Sequence, residues 1–314
     1  MNESKRIALP QELKERNPII PIKDLLVDYA AIVLSIVAYA YFQNVYVLIL
    51  SIIISGIFIY RLQIIAHDGL HFAINENKKI NDFITRYILL AIQFTPMSLN
   101  RKNHLNHHGK FSSMEDKDWQ YYKASDKDTR SKFYTWVLMV FGFGFVFKIA
   151  FKLFGIVKTD IKEKEMPAST PEGLAEDVFA ILVSQLIVFS IFYFTLGWLY
   201  YFIIWGFAVF GVMVPLNTIR SFAEHSIMEP DNSPSNRLFT FDGPFLELFI
   251  VSPHNMNFHY EHHEYMYIPY YNLPKLKILM QQNEYNYSTH TRNSYFNHIK
   301  NFFKALPILN TPKR

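Results

Sequence analysis

The sequence predicts an all-α integral membrane protein with four transmembrane helices in two hairpins. Half of the 314 residues are hydrophobic and 17% are aromatic, yet 18% are charged, which requires a sizeable water-facing part. Four apolar runs approach the roughly twenty residues that a bilayer-spanning helix needs, and they occur as two closely spaced pairs. The runs are residues 27–42, 45–60, 178–196 and 198–214.

The charges beside these runs predict their orientation. The two hairpin tips, Gln43-Asn44 and Gly197-Trp198, carry no charge, whereas basic residues flank the other ends. Because loops rich in lysine and arginine stay cytoplasmic, the tips should face outward, and the N-terminus and C-terminus should be cytoplasmic. The polar first 25 residues do not resemble a cleavable signal. The flanking basic residues are Lys5, Arg6, Lys14, Arg16, Lys23, Arg61, Lys78, Lys79 and Arg220.

Two further apolar segments are interrupted by polar residues. Residues 83–99 contain Arg86, and residues 133–154 carry Lys148 and Lys152 on one helical face. A charged stripe suits the headgroup boundary better than hydrocarbon. Both segments are therefore expected to be interfacial or re-entrant helices rather than additional spans.

The whole chain, residues 1–314, is predicted to be a single domain in five parts. The net charge of +4 requires no nucleic-acid partner, because basic residues that flank the spans account for it. The parts are a cytosolic arm (1–25), a first hairpin (26–61), a cytosolic and interfacial region (62–177), a second hairpin (178–216) and a cytosolic helical cap (217–314).

Eight of the twelve histidines fall into three groups, HDGLH, HLNHH and HYEHH. Within each group the histidines are close enough in spacing to share one face of a helix. Neutral imidazole is the commonest side-chain metal ligand. One metal ion takes about three or four protein ligands, so eight imidazoles indicate a pair of ions. Their number does not distinguish zinc from iron, but the absence of cysteine excludes thiolate sites and iron–sulfur clusters. The eight are His67, His71, His104, His107, His108, His259, His262 and His263.

The three motifs, interleaved in this order with two hairpins, resemble those of the membrane-bound fatty acid desaturases and their hydroxylase and carotenoid-oxygenase relatives. The resemblance runs from the first span to Leu276. It implies a non-haem centre of two Fe²⁺ ions, a di-metal site of the cytosolic part, that activates dioxygen against an unactivated C–H bond of a lipid chain. Desaturation of a fatty acyl chain is the expected reaction. Hydroxylation or ketolation of a lipid or carotenoid is the alternative.

The resemblance also implies further site residues. The family often has an additional histidine after the last span, which makes His225 the candidate for a ninth ligand. Asn255 precedes His259 by four residues and would share its helical face, as a ligand or a hydrogen-bond partner. Three carboxylates adjoin the ligands and are candidates to accept hydrogen bonds from metal-bound imidazoles. They are Asp68, Glu224 and Glu261.

Two other protein classes compete with this interpretation. A histidine-rich transporter would place its histidines inside the spans, whereas all three groups lie outside the four predicted spans. A membrane zinc hydrolase would need a metal-bound water and a carboxylate base, and Glu261 is available as that base.

The reaction requires electrons, and the sequence implies a separate donor protein. It has no GxGxxG motif, no cysteine set for a rubredoxin or ferredoxin module and no segment left for a fused haem domain. A ferredoxin-, rubredoxin- or haem-cytochrome-like donor is expected, and an acidic one would dock on a basic cytosolic surface. Anionic lipid headgroups are an alternative partner for that surface. Its residues are Lys78, Lys79, Arg101, Lys102 and Lys110.

Some residues near the motifs have no assigned role. His254, His290 and His298 fit no group and are expected to be surface or local hydrogen-bonding residues. Relatives commonly carry a proline three residues after the final histidine pair, where this chain has Met266, and the first proline here is Pro269. The conformation of that loop is therefore not predicted.

Overall fold

The computed structural model describes residues 7–111, 172–225, 238–283 and 289–309. Nearly all regular structure in these residues is helical, which confirms the predicted fold class. Four helices in this part of the chain are long and apolar enough to cross a bilayer, so the protein is an integral membrane protein. They are Gln11–Phe42, Val45–Leu70, Leu174–Thr195 and Trp198–His225.

The first hairpin follows directly from its two apolar runs. A single-turn helix, α1 (Gln11–Lys14), precedes the long helices α2 (Ile19–Phe42) and α3 (Val45–Leu70). Gln43 ends α2 in the left-handed conformation (φ 47°), and the Asn44 side chain caps α3. The tip between the two helices is thus only two residues long.

Between the hairpins lies a helix that changes its winding. α4 (Lys78–Phe83) continues as a π-helix (Ile84–Leu90) and a 3-10 turn (Ala91–Gln93), and α5 (Met97–Lys110) follows. This stretch includes the predicted interfacial segment 83–99. The other predicted interfacial segment, in 133–154, lies outside the described residues.

The second hairpin also has a short tip. α6 (Leu174–Thr195) ends before Gly197, whose φ of 103° is accessible mainly to glycine. The last span then runs without a break through α7 (Trp198–Tyr200), a π-helix (Tyr201–Met213) and α8 (Val214–His225).

The interrupted segment after α4 follows a re-entrant path along α6. Arg86 Nε and the backbone N–H of Ser98 both donate to the Asp177 carboxylate, each at 2.7 Å. Ala91 lies between Arg86 and Ser98 in the sequence, and its carbonyl oxygen accepts a hydrogen bond from Gln185 Nε2 (3.0 Å). Gln185 lies about two helical turns after Asp177 on α6. The chain therefore enters the bundle and returns to the same end, as predicted.

The four spans are longer than their apolar runs. α3 reaches Leu70 instead of residue 60, the last span reaches His225 instead of residue 214, and the other two begin earlier, at Ile19 and Leu174. The helices therefore continue past the apolar runs, and the bounds of the runs as membrane spans stay a prediction. Some polar residues of these extra turns are buried in the structure; Asp68, for example, is 2% exposed.

In its described residues, the cap contains short helices and a pair of two-residue strands that pair in parallel, a small departure from the all-α prediction. The strands are β1 (Thr240–Phe241) and β2 (Thr291–Arg292). The helices are α9 (Phe245–Val251), α10 (His259–Glu264), α11 (Leu273–Gln282) and α12 (Tyr295–Leu309), and a 3-10 turn (Tyr270–Asn272) precedes α11.

Both ends of the described chain pack against the cap and the spans. On α12, the rings of Phe302 and Phe303 lie 5.0 and 5.8 Å from the ring of Phe222, near the end of α8. At the other end, Asn272 Nδ2 donates to the carbonyl oxygen of Leu13 in α1 (3.1 Å). These contacts hold the cap against the ends of the spans.

Candidate metal centre

All nine histidines predicted as ligands come together at one end of the helical bundle. α3 supplies His67, and His71 directly follows that helix. α5 and α10 each supply three histidines, and α8 ends in His225. The extra turns of α3 and α8 beyond their apolar runs therefore bring ligands into the site.

The first group of imidazoles, which we call cluster A, contains five rings. The Nε2 atoms of His71, His104, His108 and His262 are separated by 2.8, 3.1 and 3.2 Å in that order. The ring of His67 lies 4.3 Å from that of His104. Both nitrogens of His67 are buried and have no hydrogen-bond partner among the described residues.

The second group, cluster B, contains four rings. Nε2 of His225 lies 3.1 Å from Nε2 of both His107 and His259. His263 packs 4.6 Å from His259, and its Nε2 is buried without a hydrogen-bond partner in the part of the chain that the structure describes. The clusters adjoin, because the rings of His263 and His108 stack at 4.1 Å.

The structure divides two of the three motifs between the clusters, whereas both histidines of HDGLH belong to cluster A. In HLNHH, His104 and His108 belong to cluster A, whereas His107 belongs to cluster B. In HYEHH, only His262 belongs to cluster A. Residues at i and i+3 diverge enough around a helix to face different clusters. The motif spacing therefore predicts a shared face but not which ion each ring serves.

The nitrogen positions fit metal ions better than a network of hydrogen bonds. The central rings of each cluster face two other Nε2 atoms, and a neutral imidazole has one proton to donate. Ligands about 2.1 Å from one ion and at right angles lie about 3.0 Å apart. The observed separations of 2.8 to 3.2 Å agree with that value. Five donors of cluster A lie within 4.8 Å of one another, as do those of His107, His225 and His263 in cluster B, and His259 adjoins His225, so the two sets suit two ions.

Burial keeps these rings in the neutral form that a metal requires. Burial lowers the pKa of His71 to about 3. In five other ligands, burial and then repulsion between neighbouring imidazoles lowers the pKa well below 6.5. Neutral imidazoles present a free lone pair to a metal ion. The five are His104, His108, His259, His262 and His263.

Two ligands of cluster B have acceptors behind their rings. His225 Nδ1 donates to the carbonyl oxygen of Ser221 (2.8 Å), which leaves the Nε2 lone pair facing the cluster. His259 Nδ1 lies 3.4 Å from Glu224 Oε2, and that same oxygen accepts a hydrogen bond from Arg220 (2.7 Å). The Ser221 carbonyl therefore fixes the ring orientation and tautomer of His225, whereas the Glu224 carboxylate faces His259 Nδ1 at 3.4 Å without a hydrogen bond.

The other two candidate carboxylates hold the surrounding chain. Asp68 Oδ2 accepts a hydrogen bond from the backbone N–H of Tyr270 (2.7 Å), so it fixes the loop that follows HYEHH. Glu261 accepts a hydrogen bond from the Thr240 hydroxyl, which ties α10 to β1. The loop whose conformation was not predicted is therefore anchored to the first histidine motif.

Asn255 does not lie on the helix of HYEHH. α10 begins at His259, and both His254 and Asn255 have positive φ angles (52° and 57°) in the preceding turn. The helical-spacing argument for Asn255 was wrong because these left-handed residues interrupt the helix. Its role as a ligand or hydrogen-bond partner stays a prediction.

The side chains of the three histidines that were not predicted as ligands are buried, so the expectation of surface positions was wrong. His254 Nε2 lies 2.9 Å from Asp28 Oδ2, and the His254 side chain is 5% exposed. His290 Nδ1 donates to the carbonyl oxygen of Leu238 (2.9 Å), and His298 packs against cap aromatics. Local contacts, the other expectation, describe all three.

One member of the predicted basic surface is occupied within the protein. Arg101 donates to both carboxylate oxygens of Asp82 (2.7 and 3.0 Å) and to the carbonyl oxygens of Gly69 (2.9 Å) and Leu70 (3.1 Å). Its guanidinium also lies 4.1 Å from the Phe72 ring centre. Arg101 therefore fixes the end of α3. The exposed members are Lys78, Lys79, Lys102 and Lys110.

A cavity of about 130 Å³ lies beside the histidines. Its lining includes Gln63, one turn before His67 on α3, and Asn100, one turn before His104 on α5. Asn217, from the start of α8, lies on the same wall. Since α3 and α8 continue from membrane spans, Gln63 and Asn217 lie nearer to the bilayer than the ligands. The cavity thus approaches the clusters from the membrane side.

Sequence reasoning missed residues that hold the ligands from behind. Tyr295 donates to Glu224, and the backbone of Tyr270 donates to Asp68, across 71 and 202 residues of sequence. No local pattern marks such distant pairs. Arg220 was detectable, because it precedes Glu224 by four residues and the two form an ion pair on one helix.

Comparisons with known proteins agree with this geometry. A family model described as fatty acid desaturase matches residues 44–294. The omega-3 fatty acid desaturase fat-1 of Caenorhabditis elegans is 32% identical over 126 residues, which are 39% of this chain. That match spans 31% of the relative's own length.

Proposed function

Because this chain belongs to the fatty acid desaturase family, we propose that it is a membrane oxidoreductase that introduces a double bond into a fatty acyl chain of a lipid. The convergence of nine imidazoles in two buried clusters carries the proposal. The similarity to an omega-3 fatty acid desaturase supports the same reaction type. A zinc hydrolase has no comparable support, because the family match is to desaturases.

Two Fe²⁺ ions are the proposed cofactors. Cluster A would hold one ion through five imidazoles, and cluster B would hold the other through four. Bound there, the pair would supply the dioxygen activation that removes hydrogen from an unactivated C–H bond. The choice of iron over zinc rests on the family, since nitrogen donors suit both metals.

The protein itself orients the substrate and excludes water. The cavity on the membrane side is lined mainly by polar groups, among them the carboxamides of Gln63 and Asn217, and Ile64 and Leu70 supply its apolar contacts. At about 130 Å³ it has room for the reacting segment of an acyl chain but not for a whole lipid. Confining that segment beside the clusters would replace a random encounter with a fixed geometry and keep bulk water away.

The proposal includes an orientation and an electron donor. The basic residues at the inner ends of the spans support a cytoplasmic location for both clusters and for the two termini. The exposed lysines near α4 and α5 support docking of a separate, acidic electron-carrier protein on that side.

Lipid analysis of a host that expresses the chain tests the reaction. Acyl chains should lose two hydrogens when dioxygen is present and remain unchanged without it. Addition of one oxygen atom would instead identify hydroxylation by the same site. A lipid profile that does not depend on the chain or on dioxygen would contradict the proposal.

Loss of one ligand from either cluster should abolish the reaction. We expect His262→Ala and His225→Ala to reduce lipid conversion at least a hundredfold or so, because partners behind metal ligands alone contribute about 10- to 100-fold. Bound iron should also fall below two per chain. His298→Gln, which changes a buried imidazole outside both clusters, is the matched control and should retain iron and conversion.

A further inference from the structure

We propose that Tyr295 is a positioning residue of the metal centre, which acts through Glu224 on cluster B; this inference rests on the proposed di-iron function. Tyr295 is the first residue of α12 and lies just beyond residues 44–294, which the family model matches. The C-terminal helix would thus contribute to the centre from outside the matched region.

Tyr295 is held rigidly and presents its hydroxyl to the site. It is fully buried, and its ring stacks on Phe241 at 3.7 Å with an interplanar angle of 15°. Its hydroxyl donates to Glu224 Oε1 at 2.9 Å. Burial raises the pKa of Tyr295 well above 10, so the hydroxyl keeps its proton and remains a donor.

Glu224 is held on both of its oxygens. Tyr295 occupies Oε1, and Arg220 donates to Oε2 at 2.7 Å. The carboxylate therefore cannot rotate away from His259, whose Nδ1 lies 3.4 Å from Oε2. His259 Nε2 faces cluster B, 3.1 Å from Nε2 of His225. The negative charge of Glu224 beside Nδ1 would favour the proton on that atom and leave the Nε2 lone pair for a metal ion.

The carboxylate beside His259 should give the two clusters different affinities for metal. His259 of cluster B has a carboxylate oxygen within 4 Å of a ring nitrogen, whereas none of the five cluster A rings has one among the described residues. A carboxylate behind an imidazole makes it a more basic metal ligand. Cluster B should therefore depend on Tyr295 for its affinity, whereas cluster A should not.

Anaerobic titration of Fe²⁺ into the purified, chelator-treated full-length protein tests this dependence. Tyr295→Phe keeps the ring that stacks on Phe241 and removes only the hydroxyl. Tyr295→Phe should weaken Fe²⁺ affinity in one of the two binding steps by about tenfold and leave the other step unchanged. Tenfold is about the lower end of the loss in metal affinity when a group that supports a ligand is removed. Tyr29→Phe is the matched control, because it removes a hydroxyl that donates to the carbonyl oxygen of Ile88, and it should change neither step.

Two further variants separate positioning from packing. Replacement of Tyr295 by 3-fluorotyrosine keeps both ring and hydroxyl and should restore wild-type binding. If Tyr295→Phe does not fold, Glu224→Gln should show the same weakening of a single step. Unchanged binding in Tyr295→Phe would overturn the inference alone, whereas a wild-type chain that binds no Fe²⁺ would overturn the proposed function as well.

Discussion

At the scale of single residues, the charged groups around the centre serve mainly to fix backbone and ligand positions. Arg101 donates to two carbonyl oxygens in the last turn of α3, those of Gly69 and Leu70. Asp68 holds the loop after HYEHH, and Glu224 lies behind His259. Removing one such charge should therefore lower the stability of the fold around the site and displace the ligands that the charge holds.

Arg101 and its neighbour Lys102 provide a direct test. Arg101→Lys should lower the free energy of unfolding by about 2 kcal/mol, because hydrogen bonds from charged groups contribute roughly 1.5–3 kcal/mol and a lysine cannot reproduce the planar fork. Lys102→Gln, at an exposed position on the same helix, should stay within about 0.5 kcal/mol of wild type. Thermal unfolding in detergent measures both, and equal unfolding temperatures for the two variants would contradict this role of Arg101.

At the scale of elements, close helix contacts set the distance between the ligands of α3 and those of α8. Gly56 packs against the last span so tightly that a Cβ there would collide with the Val212 side chain and the Ala208 carbonyl. Ser35 and Ser55 join α2 to α3 through a hydrogen bond of 2.9 Å. These contacts keep the two ligand-bearing helices parallel neighbours up to the site.

The cap is joined to α2 by an imidazole that titrates. Burial alone would lower the pKa of His254, but hydrogen bonds with Asp24 and Asp28 outweigh it and raise the pKa above 6.5. Protonated His254 then stabilises the fold below about pH 6.5, and this contribution is lost as the pH rises through the folded-state pKa. Arg61 also pairs with Asp28, so protonated His254 is one of two cationic side chains beside that carboxylate.

The pH dependence of unfolding should reveal this contact. The difference in unfolding temperature between wild type and His254→Gln should be largest near pH 6 or so and should shrink toward about pH 9. For His290→Gln, the difference in unfolding temperature should change with pH in the opposite direction. Burial lowers the pKa of His290, so the stabilising contribution of this residue grows as the pH rises toward about 6.5. A His254→Gln difference that does not change with pH would show that folding does not shift the pKa of His254, and a difference that grows toward high pH would show that folding lowers it.

At the scale of the whole molecule, the sequence predicts some features of the site and not others for identifiable reasons. The apolar runs and the even number of crossings between the motifs predict that three histidine groups meet on one side. The division of HLNHH between clusters depends on how α5 is rotated against α3, which no local pattern encodes. Contacts such as that of Tyr295 with Glu224 depend on the packing of α12, which is known only once the cap is assembled.

The orientation of the whole molecule in the membrane can be tested by labelling single introduced cysteines. It contains no cysteine, so each introduced thiol reports a single position. Gln43→Cys and Trp198→Cys, at the exposed hairpin tips, should react with a membrane-impermeant maleimide in intact cells. Lys102→Cys, on the helix that carries HLNHH, should react only after the membrane is permeabilised. Because both hairpins return to the metal centre, labelling of all three positions from the same side would contradict the bundle topology as well as the cytoplasmic location of the site.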